Sequence, residues 1–314
     1  MQDRTPFLWI VLPVLPVLLG FWVLNVLNDG SFTLLSHAIG SDALFTGQRD
    51  LRFFNALVIF AAVGLFQVMG CAAVAVFAAL KTEQLPADAR KTAWTVFAAS
   101  VVLVILISIA ARQDWFSGAL NTAYRTTCDA LVQAKVAPHV LPDACKGGKP
   151  SDLAWLGLLP YMAGILAAAA TSALVSVASR LKDLETWAKV LEQAFRATAF
   201  VLVASTIAMM LFYYLPLSLV EDKATQALVT GFAQGLALFW GIVFSLTLLA
   251  VFGPAYLMLS RAMATAEVTD ADLQKRLADR NLPKQAARVL TTLAPLLVGS
   301  SASVVEMLAG AFGG

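Results

Sequence analysis

With 314 residues, 59% hydrophobic side chains, 13% charged ones and a mean hydropathy of +0.77, the chain lies outside the composition of soluble domains and reads as an integral membrane protein. Its formal net charge of +2 is too near neutral to point to nucleic acid or to an acidic partner. Crossing about 30 Å of hydrocarbon takes roughly 20 apolar residues in a helix that satisfies its own backbone.

Segments 7–27, 53–80, 92–111, 153–179, 197–220 and 229–259 meet that requirement, which predicts an all-α, polytopic bundle of six transmembrane helices. The first segment is too long for a secretory leader and lacks a small-residue cleavage pattern, so it is expected to stay attached. Pro13 and Pro16 interrupt its hydrogen-bond ladder and predict a kink. The short turn 82–86 joins the second and third spans as an antiparallel hairpin.

Segment 112–152 is the long polar interruption, and it carries Cys128 and Cys145. Apolar Leu120, Tyr124, Cys128 and Leu131 recur at helical spacing, while Pro138, Pro142, Gly147, Gly148 and Pro150 break the second half into turns. A Cys128–Cys145 disulfide would enclose sixteen residues. On the chain-entropy view it would stabilise this cap by about 3 kcal/mol. Cys71, in contrast, sits within a span as a small apolar residue.

The fourth span carries Gly164, Ala168, Ser172 and Ser176 at four-residue spacing. Such a stripe lets a second helix come close, as a packing face within one protomer, an oligomer contact or a hydroxyl-lined pore face. No Gly or Pro occurs in 166–214, so the connection 180–196 is expected to stay largely helical. Trp187 in it is expected to anchor at the interface or to receive a partner. The sixth span opens with the GxxxG pair Gly231 and Gly235, followed by Gly241 and Ser245, with a kink expected at Gly253-Pro254.

Residues 1–260 therefore form the transmembrane domain and 261–314 a cytoplasmic helical tail. Lys275, Arg276, Arg280, Lys284 and Arg288 make that tail basic, suited to anionic headgroups. Apolar 289–312 holds Pro295, Gly299 and Glu306, which favours an interfacial or self-packing helix over a seventh span.

Placing both termini in the cytoplasm puts fourteen Lys and Arg inside and eight outside, in accord with the positive-inside pattern. The same orientation places Cys128 and Cys145 in an oxidising compartment. The expected location is the plasma (inner) membrane.

Chemistry is sparse. His37 and His139 have no spaced partners, and no nucleophile elbow, zinc motif or phosphate-binding loop occurs. No enzymatic activity, cofactor or metal is expected. None of the six segments contains Asp, Glu, Lys, Arg or His, which disfavours coupled transport. The favoured expectation is an oligomeric channel or pore subunit, gated from the cytoplasmic side by a ligand, lipid or partner. Thr171, Ser172, Gln234, Ser245 and Thr247 are its candidate lining or interface residues. The alternative is a non-conducting scaffold or accessory subunit, and the third reading an uncoupled small-molecule transporter. Expected partners are membrane lipids and either further copies of the chain or a membrane complex.

Overall fold

The computed structural model describes residues 6–27, 43–112, 128, 132, 135, 152–181 and 184–267. The fold is all-helical. In chain order the helices are α1 (Pro6–Val11), α2 (Leu15–Leu27), α3 (Arg49–Glu83), α4 (Ala87–Arg112), α5 (Asp152–Val177), α6 (Leu184–Tyr214) and α7 (Lys223–Glu267). Five of them, α3 to α7, contain stretches long and apolar enough to cross a membrane, which is compatible with a membrane-embedded protein.

The first expected span is not one helix. It is the pair α1 and α2, separated by a turn at 12–14 where Pro13 denies the ladder a donor. Elsewhere the helices overrun the apolar segments. α3 has 35 residues and α7 has 45, the latter roughly 68 Å at 1.5 Å per residue, more than twice the hydrocarbon thickness. α7 also continues through Pro254 and past Arg261 to Glu267, so the tail expected to begin at 261 opens inside this helix. Everything beyond Glu267, including Lys275, Arg276, Arg280, Lys284, Arg288 and 289–312, lies outside the described residues.

The connection 180–196 is largely helical, as expected: a single 3-10 turn at Ala178–Arg180 ends α5, Leu181 is extended at ψ 150°, and helix resumes at Leu184. The reason for the break is topological. α5 and α6 pack antiparallel, so the chain must reverse between them, and that tertiary demand overrides local helix preference. From Leu184 onward the expectation and the structure agree, since the connecting segment merges with the fifth span into 31 residues of α6.

α6 is the centre of the bundle, with α3, α5 and α7 packed around it. The N-terminal pair is split between neighbours, α1 lying on α4 and α5 while α2 lies on α7. At the α2–α7 contact Phe21 meets Trp240 edge-on at 5.4 Å, and a Cβ on Gly20 would stand 2.9 Å from Val243. α3 and α4 are peripheral. They leave a tight turn clasped by Arg90 and Glu83 at 3.0 Å, then diverge because α5 wedges between them.

The opposite end of α3 is tied to the far side of the bundle. The segment before it, Ala43 to Phe45, pairs antiparallel with the connection between α6 and α7 through a Leu44–Val220 bridge. The amide of Phe45 donates to Leu219, and those of Glu221 and Asp222 to Ala43. Asp222 then starts α7, accepting from the amide and hydroxyl of Thr225 at 2.7 and 2.8 Å. Those bonds hold its carboxyl below the usual carboxylate value, because they favour the charged form.

Candidate buried polar site

The α5–α6 interface repeats every seven residues. Gly157 faces Phe212, Gly164 faces Ser205, and Thr171 faces Thr198 with their hydroxyls 3.0 Å apart. One more step down α5 and up α6 reaches Ala178 and Leu191, both fully buried. A seven-residue repeat keeps the seam of two gently supercoiled helices facing inward, and small side chains on one of them let the backbones approach. The approach is close enough that a Cβ at Gly157 would stand 2.6 Å from the Phe212 ring, and one at Gly164 2.7 Å from Ser205 Oγ.

α3 inserts one polar side chain into this seam. Gln67 is 1% exposed, and its amide nitrogen lies 2.7 Å from the carbonyl of Pro160, 2.8 Å from Ser205 Oγ and 3.1 Å from Cys71 Sγ. Two protons thus face three acceptors, because the Ser205 hydroxyl donates to Val201 at 2.9 Å. The other end of the amide, Oε1, is buried with no donor among the described residues. Gly64 and Gly70 on the same helix pass within 3.9 Å of Pro160 and 3.7 Å of Val201, measured from an added Cβ, so α3 reaches the seam along a face of small residues.

This node is polar and uncharged. It can orient helices and offer a lone pair, but it holds no acid or base. Among the described residues no three His, Cys, Asp or Glu are gathered as a metal site would need.

The residues singled out from the sequence fall in different places. The four-residue stripe winds around α5, since each step of four overshoots a full turn by about 40°. Gly164 therefore meets α6 whereas Ser172 reaches α1, where its hydroxyl donates to the carbonyl of Trp9 at 2.8 Å. Ala168 is buried between them, and Ser176 is half-buried and bonds back to Ala173 at 2.7 Å. Thr171 and Thr247 are buried and donate to carbonyls one turn earlier in their own helices. Gln234 is half-buried beside Tyr214. Gly241 is buried, and so is Ser245, whose Oγ has no partner among the described residues.

Gly231 and Gly235 stand on the outer face of α7 with nothing within 4 Å of an added Cβ. Trp187 is 6% exposed, packed into the core, and its indole N–H meets no acceptor among the described residues. Cys128 is buried; Cys145, its expected partner, lies outside the described residues. Cys71 is a free, buried thiol at the polar node.

Gln67 is an amide in an apolar span, and nothing local in the sequence points from it to Ser205 or Pro160. The signal was the seven-residue recurrence of Gly157, Gly164, Thr171 and Ala178, which counting in fours obscures. No protein family, curated protein or solved structure matches this chain.

Proposed function

We propose that the chain is a multi-pass subunit of the plasma (inner) membrane that serves as a non-conducting scaffold or accessory component of a membrane complex. The observation carrying this reading is the use of its hydroxyls. Thr171, Ser172 and Thr247, the residues best suited to line a conduit, are buried and spend their protons on carbonyls within one protomer. What the bundle turns outward instead is a broad apolar face on α3 and α4, where only 28% of each spanning window is buried against 83% in α6. Such a face suits lipid and other membrane helices, not ions.

In this reading the α1–α2 pair supplies a sixth crossing, since residues 6–27 reach about 33 Å if helical throughout. Both termini lie in the cytoplasm, supported by the excess of Lys and Arg on that side. Cys128 and Cys145 then face an oxidising compartment and form the bridge that staples the outer cap.

One observation favours the second reading, an oligomeric channel. The exposed pair Gly231 and Gly235 on α7 is open to a neighbouring copy, and a pore would then form between protomers with Gln234 near its wall. Ion flux through purified protein in liposomes separates the two. The scaffold reading expects flux equal to that of empty vesicles; conductance well above it, lost in Gly231→Leu, would favour the channel.

A further inference from the structure

The wedge of α5 between α3 and α4 leaves a crevice of about 270 Å³ on the outside of the bundle. Ala78 and Ala79 on α3 and Ala93 on α4 form its walls, Ala170 and Ala173 on α5 its floor, and Trp94 its rim. Its existence follows from residue size, because alanines cannot fill the angle between two diverging helices. An empty apolar slot costs its walls their dispersion partners, and these walls offer water almost nothing to bond: the one lining hydroxyl, Thr82, donates to Ala78 at 2.8 Å. Ligand pockets begin at about 300 Å³, so the slot takes a segment of hydrocarbon chain better than a whole molecule.

The mouth is cationic. Lys81 follows Ala78 by three residues and Lys91 precedes Trp94 by three, so each stands one helical turn from a wall residue. The turn also carries Glu83 and Asp88, but Glu83 is held by Arg90, and neither Lys81 nor Lys91 is in an ion pair among the described residues. Three cations against two carboxylates leave the rim net positive. An exposed tryptophan stands beside it, the residue type that prefers headgroup depth.

We infer that this crevice is a binding slot for one anionic glycerophospholipid, with an acyl chain lying between α3 and α4 and its phosphate at Lys81 and Lys91. Val76 in its lining is exposed, as are Leu80 on α3 and Val102 and Ile105 on α4, a surface that bilayer hydrocarbon would cover. The inference rests on the membrane-embedded reading proposed above. A bound lipid would brace two helices that otherwise touch little beyond their shared turn.

The test is native mass spectrometry of the full chain released from nanodiscs of phosphatidylcholine doped with phosphatidylglycerol. The expected result is one retained phosphatidylglycerol, enriched about thirtyfold over its share of the bilayer, as two lysines near a headgroup would give. Lys81→Gln/Lys91→Gln removes the enrichment, and Ala79→Phe, which fills the slot from a half-buried position, removes the retained lipid. Lys91 is exposed and Lys81 half-buried, and neither belongs to the core, so their loss should leave folding intact. Retention unchanged in both variants overturns the slot, as does a protein dimer occluding this face with no lipid retained. A chain that fails to insert into nanodiscs overturns the membrane reading as well.

Discussion

Ser172 on α5 donates its hydroxyl to the carbonyl of Trp9 on α1 at 2.8 Å, and that carbonyl is the one whose helical partner would be the amide of residue 13. Residue 13 is proline. α5 therefore supplies the donor that α1 lacks, which is how a proline is accommodated where water is absent. Ser172→Ala should lower stability by about 1–3 kcal/mol, the cost of a buried acceptor left unmet. Pro13→Ala returns an amide to the ladder, so the serine substitution should cost markedly less in that background. Thermal unfolding in detergent across the four combinations measures the coupling; equal costs in both backgrounds would break the link.

Gly157 and Gly164 mark the closest approach on the α5–α6 seam. Gly164→Ala should destabilise by about 1–3 kcal/mol through overpacking against Ser205, and Gly157→Ala by a comparable amount against the Phe212 ring. Gly231→Ala and Gly235→Ala meet nothing and should be neutral or slightly stabilising, Ala being the better helix former by about 1 kcal/mol. The same unfolding assay on the four single variants checks the contrast.

At the polar node, Gln67→Leu removes two helix–helix bonds, worth about 0.6 kcal/mol each on average in a membrane, and with them one buried orphan oxygen. The two changes oppose each other, so the net effect should stay within about 1 kcal/mol. Gln67→Glu should be worse, because the protonated carboxyl offers one proton where the amide offers two to Pro160 and Ser205, and the ionised form buries a charge. Yield of folded protein after reconstitution distinguishes the two substitutions.

Asp222 gives a pH dependence. Its folded value is depressed by the Thr225 amide and hydroxyl, so its contribution is fully present above the ordinary carboxylate range and fades as pH falls through the lower folded value. Asp222→Ala should therefore melt below the unmodified chain at neutral pH, and the gap should close in acid. A gap that persists at the acid end would show that the carboxylate is not the cause.

Much of the architecture was legible in the sequence because bilayer thickness imposes a length on apolar segments. The short turn at 82–86 was equally plain, being bracketed by Lys81 and Arg90 with Pro86 between them. The end of an apolar segment at 179 gives the reversal between α5 and α6, but no Gly or Pro marks its form, the 3-10 turn Ala178–Arg180 followed by extended Leu181. The hydroxyls were misleading for a related reason. Thr171 and Ser172 are adjacent, yet one turns toward α6 and the other toward α1, and no local pattern says which neighbour each will meet. Gln67 was visible as an exception in an apolar span, but its partners lie 93 and 138 residues away.

The Leu44–Val220 bridge has a consequence for how the molecule is made. In the membrane reading proposed above, a chain inserted from its N-terminus would have α3 in place well before residue 220 leaves the ribosome. Until then the carbonyl of Ala43 and the amide of Phe45 would lack the partners they have in the finished fold, and the N-terminal end of α3 would not be tied to the later half. Completion of α6 and its turn is the event that buttons the early hairpin to the rest, so a ribosome stalled before Val220 would leave a nascent chain whose first helices are inserted but still unlatched.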